Sequence, residues 1–159
     1  MTIVINYETI ATAIANLTIV NGETGGPTNI TIKDLNNIPT GGRGLCPIMF
    51  PNPRNPIRDV KPLRATTGGA GSALMNLTYK IPYIYLHCEA GSGTSGYEGY
   101  IGCVRNFFLI VKSILENDNI NGAVDLTFSD LGAIDIIKDP TGKEYLGLMF
   151  SLEVTEFVQ

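Results

Sequence analysis

The glycines of Gly91-Ser-Gly-Thr-Ser-Gly96 have the spacing of a dinucleotide-binding fingerprint. They come after a predicted strand and before a predicted helix, where a tight turn brings a pyrophosphate to the helix N-terminus. Asp118 lies at about the right distance for a ribose ligand, but it falls in the turn that ends the helix. Because a hairpin rather than a parallel strand follows, we interpret the motif as a Gly/Ser loop that caps the helix, and nucleotide binding is the minority hypothesis.

His87-Cys88-Glu89 contains H-x-E, the first half of the zinc-deaminase signature, without the Pro-Cys-x-x-Cys half. Cys88 and Cys103 lack metal-ligand spacing, and Cys46 precedes a proline. A single histidine at a strand end is more often a surface or hydrogen-bonded side chain. We therefore predict neither a metal site nor a nucleophilic centre here.

Two pairs of acids have the types that general acid–base catalysis uses, Asp130 with Asp135 and Glu153 with Glu156. On strands such residues are more simply solvent-facing charges. We predict no catalytic residue, no cofactor-binding residue and no metal ligand, and the protein is expected not to be an enzyme.

The totals describe one globular domain, residues 1–159, with 44% hydrophobic and 16% charged residues. The net charge is −4, and the densest basic stretch is Arg54, Arg58, Lys61 and Arg64. Scattered basic residues do not make the phosphate-binding patch that a nucleic-acid reader needs.

Three cysteines are an odd number with no paired spacing, which favours reduced thiols in a protein made in the cytosol. The N-terminal residues carry no basic region and no long apolar run. We expect neither a signal peptide nor a membrane-spanning segment.

The first half of the chain shows a short helix and then much irregular sequence. Apolar spacing predicts a helix at 8–17, and residues 21–29 read as a loop. Leu45–Phe50 predicts a short edge or bulged strand, because Pro47 cannot donate to a ladder. Residues 52–72 are rich in proline and glycine and predict a long irregular loop of the kind that partners order. Alternation over Leu74–Glu89 predicts a long strand bent near Pro82.

The second half has clearer periodicity. Residues 97–117 predict a helix whose apolar stripe is Ile101, Val104, Phe107, Phe108, Val111, Ile114 and Leu115, with Asn106 and the charged residues mostly away from it. Alternating strands follow, interrupted near Gly132, and Asp139–Gly142 predicts a turn. The last strand places Leu146, Leu148, Phe150, Leu152 and Val154 on one face.

We therefore predict an α+β fold, a mixed or antiparallel sheet packed by one main helix, with a β-α-β-β ferredoxin-like unit over 74–158. The single domain divides into 1–44 (helix and loop), 45–96 (strand, long loop and long strand) and 97–158 (helix plus hairpin). Five tyrosines crowd the end of the long strand and the start of the helix, and either interface or core packing explains them. They are Tyr79, Tyr83, Tyr85, Tyr97 and Tyr100.

In its arrangement the chain resembles the tail terminator (tail-completion, head–tail joining) proteins of long-tailed bacteriophages. The resemblance covers a small N-terminal helix, the Pro/Gly-punctuated stretch through Leu45-Cys-Pro-Ile-Met-Phe-Pro-Asn-Pro, and a long middle strand. The helix at 97–117 and a hairpin that closes with Leu148-Met-Phe-Ser-Leu-Glu-Val-Thr-Glu complete it.

The resemblance implies a homohexameric ring in the virion neck, made in the host cytoplasm, between the tail tube protein and the head–tail connector. DNA would pass through its lumen without specific binding. Two alternatives stay open: another neck adaptor or tail-tube-like subunit, and a small nucleotide-binding enzyme that uses Gly91–Gly96.

Overall fold

A computed structural model of the protein describes residues 5–24, 26–67, 73–91, 97–117, 120 and 123–158. These residues form two helices and seven strands, which confirms the α+β class and the mixed sheet. The elements are α1 Tyr7–Ala15, β1 Thr31–Ile32, β2 Ile48–Pro51, β3 Arg58–Thr67, β4 Ala73–Glu89, α2 Tyr97–Leu115, β5 Ala123–Ser129, β6 Asp135–Lys138 and β7 Glu144–Val158.

The centre of the sheet is the antiparallel pair of β4 and β7, which runs from Met75 opposite Val158 to Glu89 opposite Tyr145. On the side of β4 that faces away from β7, β3 and β2 lie end to end. Along the other edge of β7, β5 and β6 do the same. β1 adds in parallel to β2, which makes the sheet mixed. The order β4-β7-β5, with α2 between β4 and β5 in sequence, is the order of a split β-α-β unit.

The prediction that residues 52–72 form one irregular loop is wrong, because β3 occupies Arg58–Thr67 within them. Within the described residues β3 pairs only with β4, from Arg58 opposite Lys80 to Thr67 opposite Ala73. Register shifts interrupt this pairing on both sides of Lys61 and Pro62. Edge strands and bulges are the positions in a sheet that tolerate proline, so proline-rich composition concealed a strand.

Pro82 stands in the middle of β4, although central strands rarely contain proline. On one side it lies opposite Ser151 of β7. On its other side β4 pairs with β3 up to Lys80 and with β2 from Tyr83 onwards. Pro82 therefore faces the gap between β3 and β2. Its carbonyl accepts a hydrogen bond from the Asn52 backbone N–H (2.8 Å). Because no strand partner lies opposite its nitrogen there, β4 continues through the proline.

The register shift between β4 and β7 lies between Leu86 and Cys88, after the position where the sequence predicts a bend. Gly147 is the partner of Leu86, and a Cβ at this position would overlap the carbonyl oxygen of Tyr85. The two central strands therefore approach here to a distance that only glycine permits.

The prediction of an edge strand at residues 45–50 is wrong, because β2 lies between β1 and β4. Pro47 stands just before it and uses its carbonyl to accept a hydrogen bond from the Thr31 N–H (3.1 Å). The missing N–H of the proline is thus outside the β2 ladder, and the strand fills an internal position.

The inward side of α2 differs from the predicted stripe. Cys103, Ile110 and Ile114 are fully buried, and Phe107 packs edge-on against Phe128 and Phe150 with ring centroids 6.1 and 5.2 Å apart. The apolar side chains predicted to extend this stripe are instead exposed, by 38% for Ile101, 66% for Phe108 and 45% for Leu115. The apolar surface of α2 is wider than the sheet covers.

Asn106 was predicted to lie away from the apolar side of α2, but it is fully buried. Its side-chain oxygen accepts a hydrogen bond from the Gly22 N–H (2.8 Å), and its amide nitrogen donates to Asn21 (2.9 Å). A buried amide is stable only when it is hydrogen-bonded, and here it fastens the loop before β1 onto α2.

Glu156 is fully buried in β7, so the prediction of a solvent-facing charge is wrong. One carboxylate oxygen accepts a hydrogen bond from the Tyr79 hydroxyl (2.6 Å). The other accepts a hydrogen bond from the backbone N–H of Asn6 (3.1 Å), which precedes α1. A carboxylate at a helix N-terminus is favoured by the helix dipole. Glu156 therefore connects the first helix to the last strand.

Replacing Glu156 with alanine leaves the buried Tyr79 hydroxyl and the partly buried Asn6 N–H without this acceptor. We expect the free energy of unfolding to fall by about 2–4 kcal/mol, measured by urea denaturation at one low protein concentration. Glu144→Ala, at an exposed position of the same strand, is the matched control and should stay within about 0.5 kcal/mol of the parent. Equal stability of the two variants would contradict the role of Glu156.

Candidate protein–protein interface

His87 is buried at the end of β4, where Nδ1 lies 2.8 Å from the Tyr85 hydroxyl. A Cβ on Gly102 would meet both Glu23 Oε1 and His87 Nε2, so these two groups face each other across the glycine. Burial lowers the pKa of His87, against the opposing effect of the Glu23 carboxylate, and burial raises the pKa of Tyr85. The His87 imidazole and the Tyr85 hydroxyl are therefore neutral at pH 7, and the hydrogen bond between them orients both side chains.

Burial raises the pKa of the Cys46 and Cys103 thiols to about 12. Reactive cysteines need a lowered pKa, so these two thiols have the character of small packing groups. The described residues contain no group of three or more His, Cys, Asp or Glu side chains that could hold a metal ion.

An ionic cluster lies on the sheet face opposite α2. Lys80 Nζ is 3.1 Å from Asp130 and 3.7 Å from Asp59, and the Arg58 guanidinium also pairs with Asp130. The hydrogen bond from Lys80 lowers the pKa of Asp130, and the same bond raises the pKa of Lys80. The cluster connects the start of β3, across β4, to the residue after β5. The sequence does not predict it, because Asp130 lies 72 residues from Arg58 and 50 residues from Lys80.

The predicted acid pairs do not act together. Asp130 is held by two cations, whereas Asp135 accepts the backbone N–H of Ile136 (2.7 Å). Glu153 and Glu156 lie on opposite faces of β7, because their positions differ by an odd number of residues. Neither pair presents two carboxylates to one substrate atom.

Most of the Gly91–Gly96 motif, predicted to be a loop that caps the helix, lies outside the described residues, as do Asp118 and the side chain of Tyr97. Gly91 has φ +81°, as a turn after β4 requires. Of the tyrosines, Tyr79, Tyr83 and Tyr85 are buried in the core, while Tyr100 is half exposed. For the three buried ones the core alternative is confirmed.

A cavity of about 200 Å³ opens on the sheet face opposite α2, beside β2 and the β6–β7 turn. Its floor is apolar, and Arg54 and Lys138 stand at its rim. The apolar lining residues are Pro39, Phe50, Pro53, Ile84, Leu86, Ile137, Pro140 and Met149.

Asp139 anchors one wall of this cavity through the predicted turn, which the structure confirms with Gly142 at φ +86°. Its carboxylate accepts hydrogen bonds from the Tyr145 hydroxyl (2.9 Å), from the backbone N–H of Gly42 (3.2 Å), and from Thr141 and Lys143. Burial alone raises its pKa, but the hydrogen bonds outweigh burial and lower the pKa of Asp139 to about 2.

The sheet has two outer edges, which are formed by different strands. In the part of the chain that the structure describes, β3 has no strand on its outer side, and neither do β5 and β6 on the opposite edge. An open edge presents unpaired N–H and C=O groups that a second chain can pair with.

α2 carries a further exposed surface, which we call its outer apolar row and define as Ile101, Phe108 and Leu115. These residues are spaced by seven, so they form a line along the helix. Phe108 is rotated by about 100° from Phe107, which packs on the sheet. Two-thirds exposure of a phenylalanine in line with two more exposed apolar residues is typical of a protein–protein contact.

No protein-family model and no curated protein matches this chain. Neither helix of the described residues is long and apolar enough to cross a membrane. The described residues offer four candidate contact surfaces: two open sheet edges, the outer apolar row of α2 and the apolar cavity.

Asp139→Asn should lower the free energy of unfolding at pH 7 by about 1–2 kcal/mol, after allowance for solvent screening. Because the folded pKa lies below the unfolded value, this stabilisation is present above pH 4 and is lost as the pH falls from 3.8 towards 2. Urea denaturation of parent and variant from pH 7 to 2 measures the difference. A constant difference down to pH 2 would contradict the role of the carboxylate.

Phe107 and Phe108 are a matched pair of neighbours. Phe107→Ser removes a ring from the core and should cost about 2–4 kcal/mol of unfolding free energy. Phe108→Ser removes an exposed ring and should change the stability of the isolated subunit by no more than about 0.5 kcal/mol. Denaturant titration at low protein concentration measures both, and equal losses would show that Phe108 serves the fold.

Proposed function

We propose that this protein is a structural virion protein, a ring-forming tail terminator that caps the tail tube of a long-tailed bacteriophage and joins it to the head connector. Two things support the proposal. One is the resemblance in the order of elements, with α1, the long strand β4, the main helix α2 and the closing strand β7. The other is the geometry of the surfaces described above.

The observation that carries the proposal is the pair of unlike open edges at opposite sides of one sheet. A contact between two different surfaces is heterologous, so each copy uses one edge for each neighbour. Heterologous contacts close into a ring when the rotation between neighbours permits closure. An uncovered edge is an aggregation hazard unless another chain pairs with it or the edge is blunted.

The outer apolar row of α2 supplies what the edges lack. Strand edges contribute hydrogen bonds, whereas stable interfaces also bury a central apolar patch with aromatic anchors. Phe108 is an anchor of that kind, exposed on the helix that covers the sheet. A subunit whose two edges meet its neighbours still has this helix for contact with a neighbour or with the tail tube.

The net charge of −4 agrees with the rest of the role. A protein with a net negative charge does not neutralise successive phosphates of DNA. DNA that passes through a ring of such subunits is therefore not retained. In this role the ring is hexameric, lies in the virion neck, and contacts the tail tube protein on one side and the connector on the other.

The purified protein should form a discrete oligomer, expected to be a hexamer, in sedimentation velocity and native mass spectrometry, with a central hole in negative-stain electron microscopy. Assembly only on added tail tubes also fits the role, whereas capping of tube ends distinguishes a terminator from a tube subunit. A monomer under both conditions would contradict the proposal. Such a monomer, if it bound a nucleotide and lost it on Gly93→Ala, would establish the enzyme alternative.

A further inference from the structure

One cross-strand row runs through the four strands β3, β4, β7 and β5. Lys61 lies opposite Thr78, Thr78 lies opposite Thr155, and Thr155 lies opposite Asp125. The two central hydroxyls are hydrogen-bonded to each other (3.1 Å), which fixes the register of the row. A cation therefore stands at one open edge and an anion at the other, in the same row.

Both end residues are exposed. Neither Lys61 nor Asp125 makes an ion pair or a side-chain hydrogen bond with any residue that the structure describes. By contrast the next row, beginning at Arg58 and Lys80, neutralises its charges internally through Asp130. The row that starts at Lys61 is thus the one whose opposite charges remain available for another chain.

We propose that the open edges of two copies of this chain lie side by side, with Asp125 of one copy paired to Lys61 of the next. This inference rests on the proposed ring and names the contact that builds it. Each copy uses Lys61 towards one neighbour and Asp125 towards the other, so every copy in a closed ring has both charges paired.

Strand direction favours this contact. β3 and β5 run in opposite directions, because each step of β3, β4, β7 and β5 is antiparallel. A copy placed beside another in the same orientation therefore sets β5 antiparallel to β3 of its neighbour. The rotation between copies that a ring requires must also carry β6 clear of β1, which extends the neighbour's sheet beyond β2. Cross-strand residues of opposite charge attract across such a pair.

The charges also select against the competing two-fold contacts. Pairing β3 with β3 of a second copy at this row sets Lys61 against Lys61, and pairing β5 with β5 sets Asp125 against Asp125. Like charges directly opposite each other on neighbouring strands are destabilising. Register shifts beside Lys61 and beside Asp125 further limit pairing with arbitrary strands.

The test compares charge reversals by sedimentation velocity over a concentration series. Lys61→Glu and Asp125→Lys should each weaken every subunit contact by about tenfold, roughly 1.4 kcal/mol, and so move the ring towards monomer. The double variant K61E/D125K reverses both charges and should restore assembly to within threefold of the parent.

An equimolar mixture of the two single variants gives the sharpest result. In alternating order Asp125 of the first variant meets Lys61 of the second, and the introduced lysine of the second meets the introduced glutamate of the first. The mixture should therefore assemble although each variant alone does not. Circular dichroism of each variant establishes that the subunits are folded.

Arg43→Glu and Glu8→Lys are matched controls, since they make the same changes of charge at exposed positions outside the strands. They should assemble within threefold of the parent. Parent-like assembly of both single variants would overturn the Lys61–Asp125 contact and leave the ring standing, as would single variants that neither the double variant nor the mixture rescues. A parent protein that is monomeric in solution and on tail tubes would overturn both.

Discussion

The rest of the structure depends on the register between β4 and β7. A slip of one residue in a strand pair moves every side chain to the other face. Here the register places the row from Leu146 to Val154 under α2 and leaves the alternate positions on the opposite face. Two contacts hold it: Gly147 permits the backbone of β7 to approach Tyr85, and Thr78 bonds to Thr155 across the opposite face. β2 and β3 pair with the outer side of β4, and β5 and β6 pair with the outer side of β7, so the register of the central pair also decides which residues stand at the open edges.

Local periodicity predicted the elements that rest on this pair. Strict alternation in β7, helical spacing over 97–117 and the Pro-Thr-Gly chemistry of the turn after Asp139 are all local signals. The strand β3 was missed for a physical reason. Pro62 removes a ladder donor, which weakens the case for a strand in general, but an edge strand with a bulge has no need of that donor. Whether a strand lies at an edge depends on the whole sheet, so a short stretch of sequence does not reveal it.

The polar side chains of the interior were equally hidden. Asn106 is buried because Asn21 and Gly22 satisfy it, and Glu156 is buried because Tyr79 and Asn6 satisfy it. A polar residue is stable inside a protein when a partner from elsewhere completes its hydrogen bonds. The partners here are 77 to 150 residues away in the chain, so the burial of Asn106 and Glu156 was unpredictable from their neighbours. The same separation concealed the cluster of Arg58, Lys80 and Asp130.

In the ring that we propose, the charged edges supply specificity and the outer apolar row of α2 supplies buried area. Charged, bulged edges protect a lone subunit from unspecific strand pairing, and they accept only a partner whose charges match in register. They contribute little apolar burial, which the outer row of α2 provides. A chain with only the apolar row would associate without a fixed orientation, and one with only the charged row would associate weakly at physiological salt, where exposed ion pairs are screened. A ring of definite size needs both, because closure requires the same orientation at every contact.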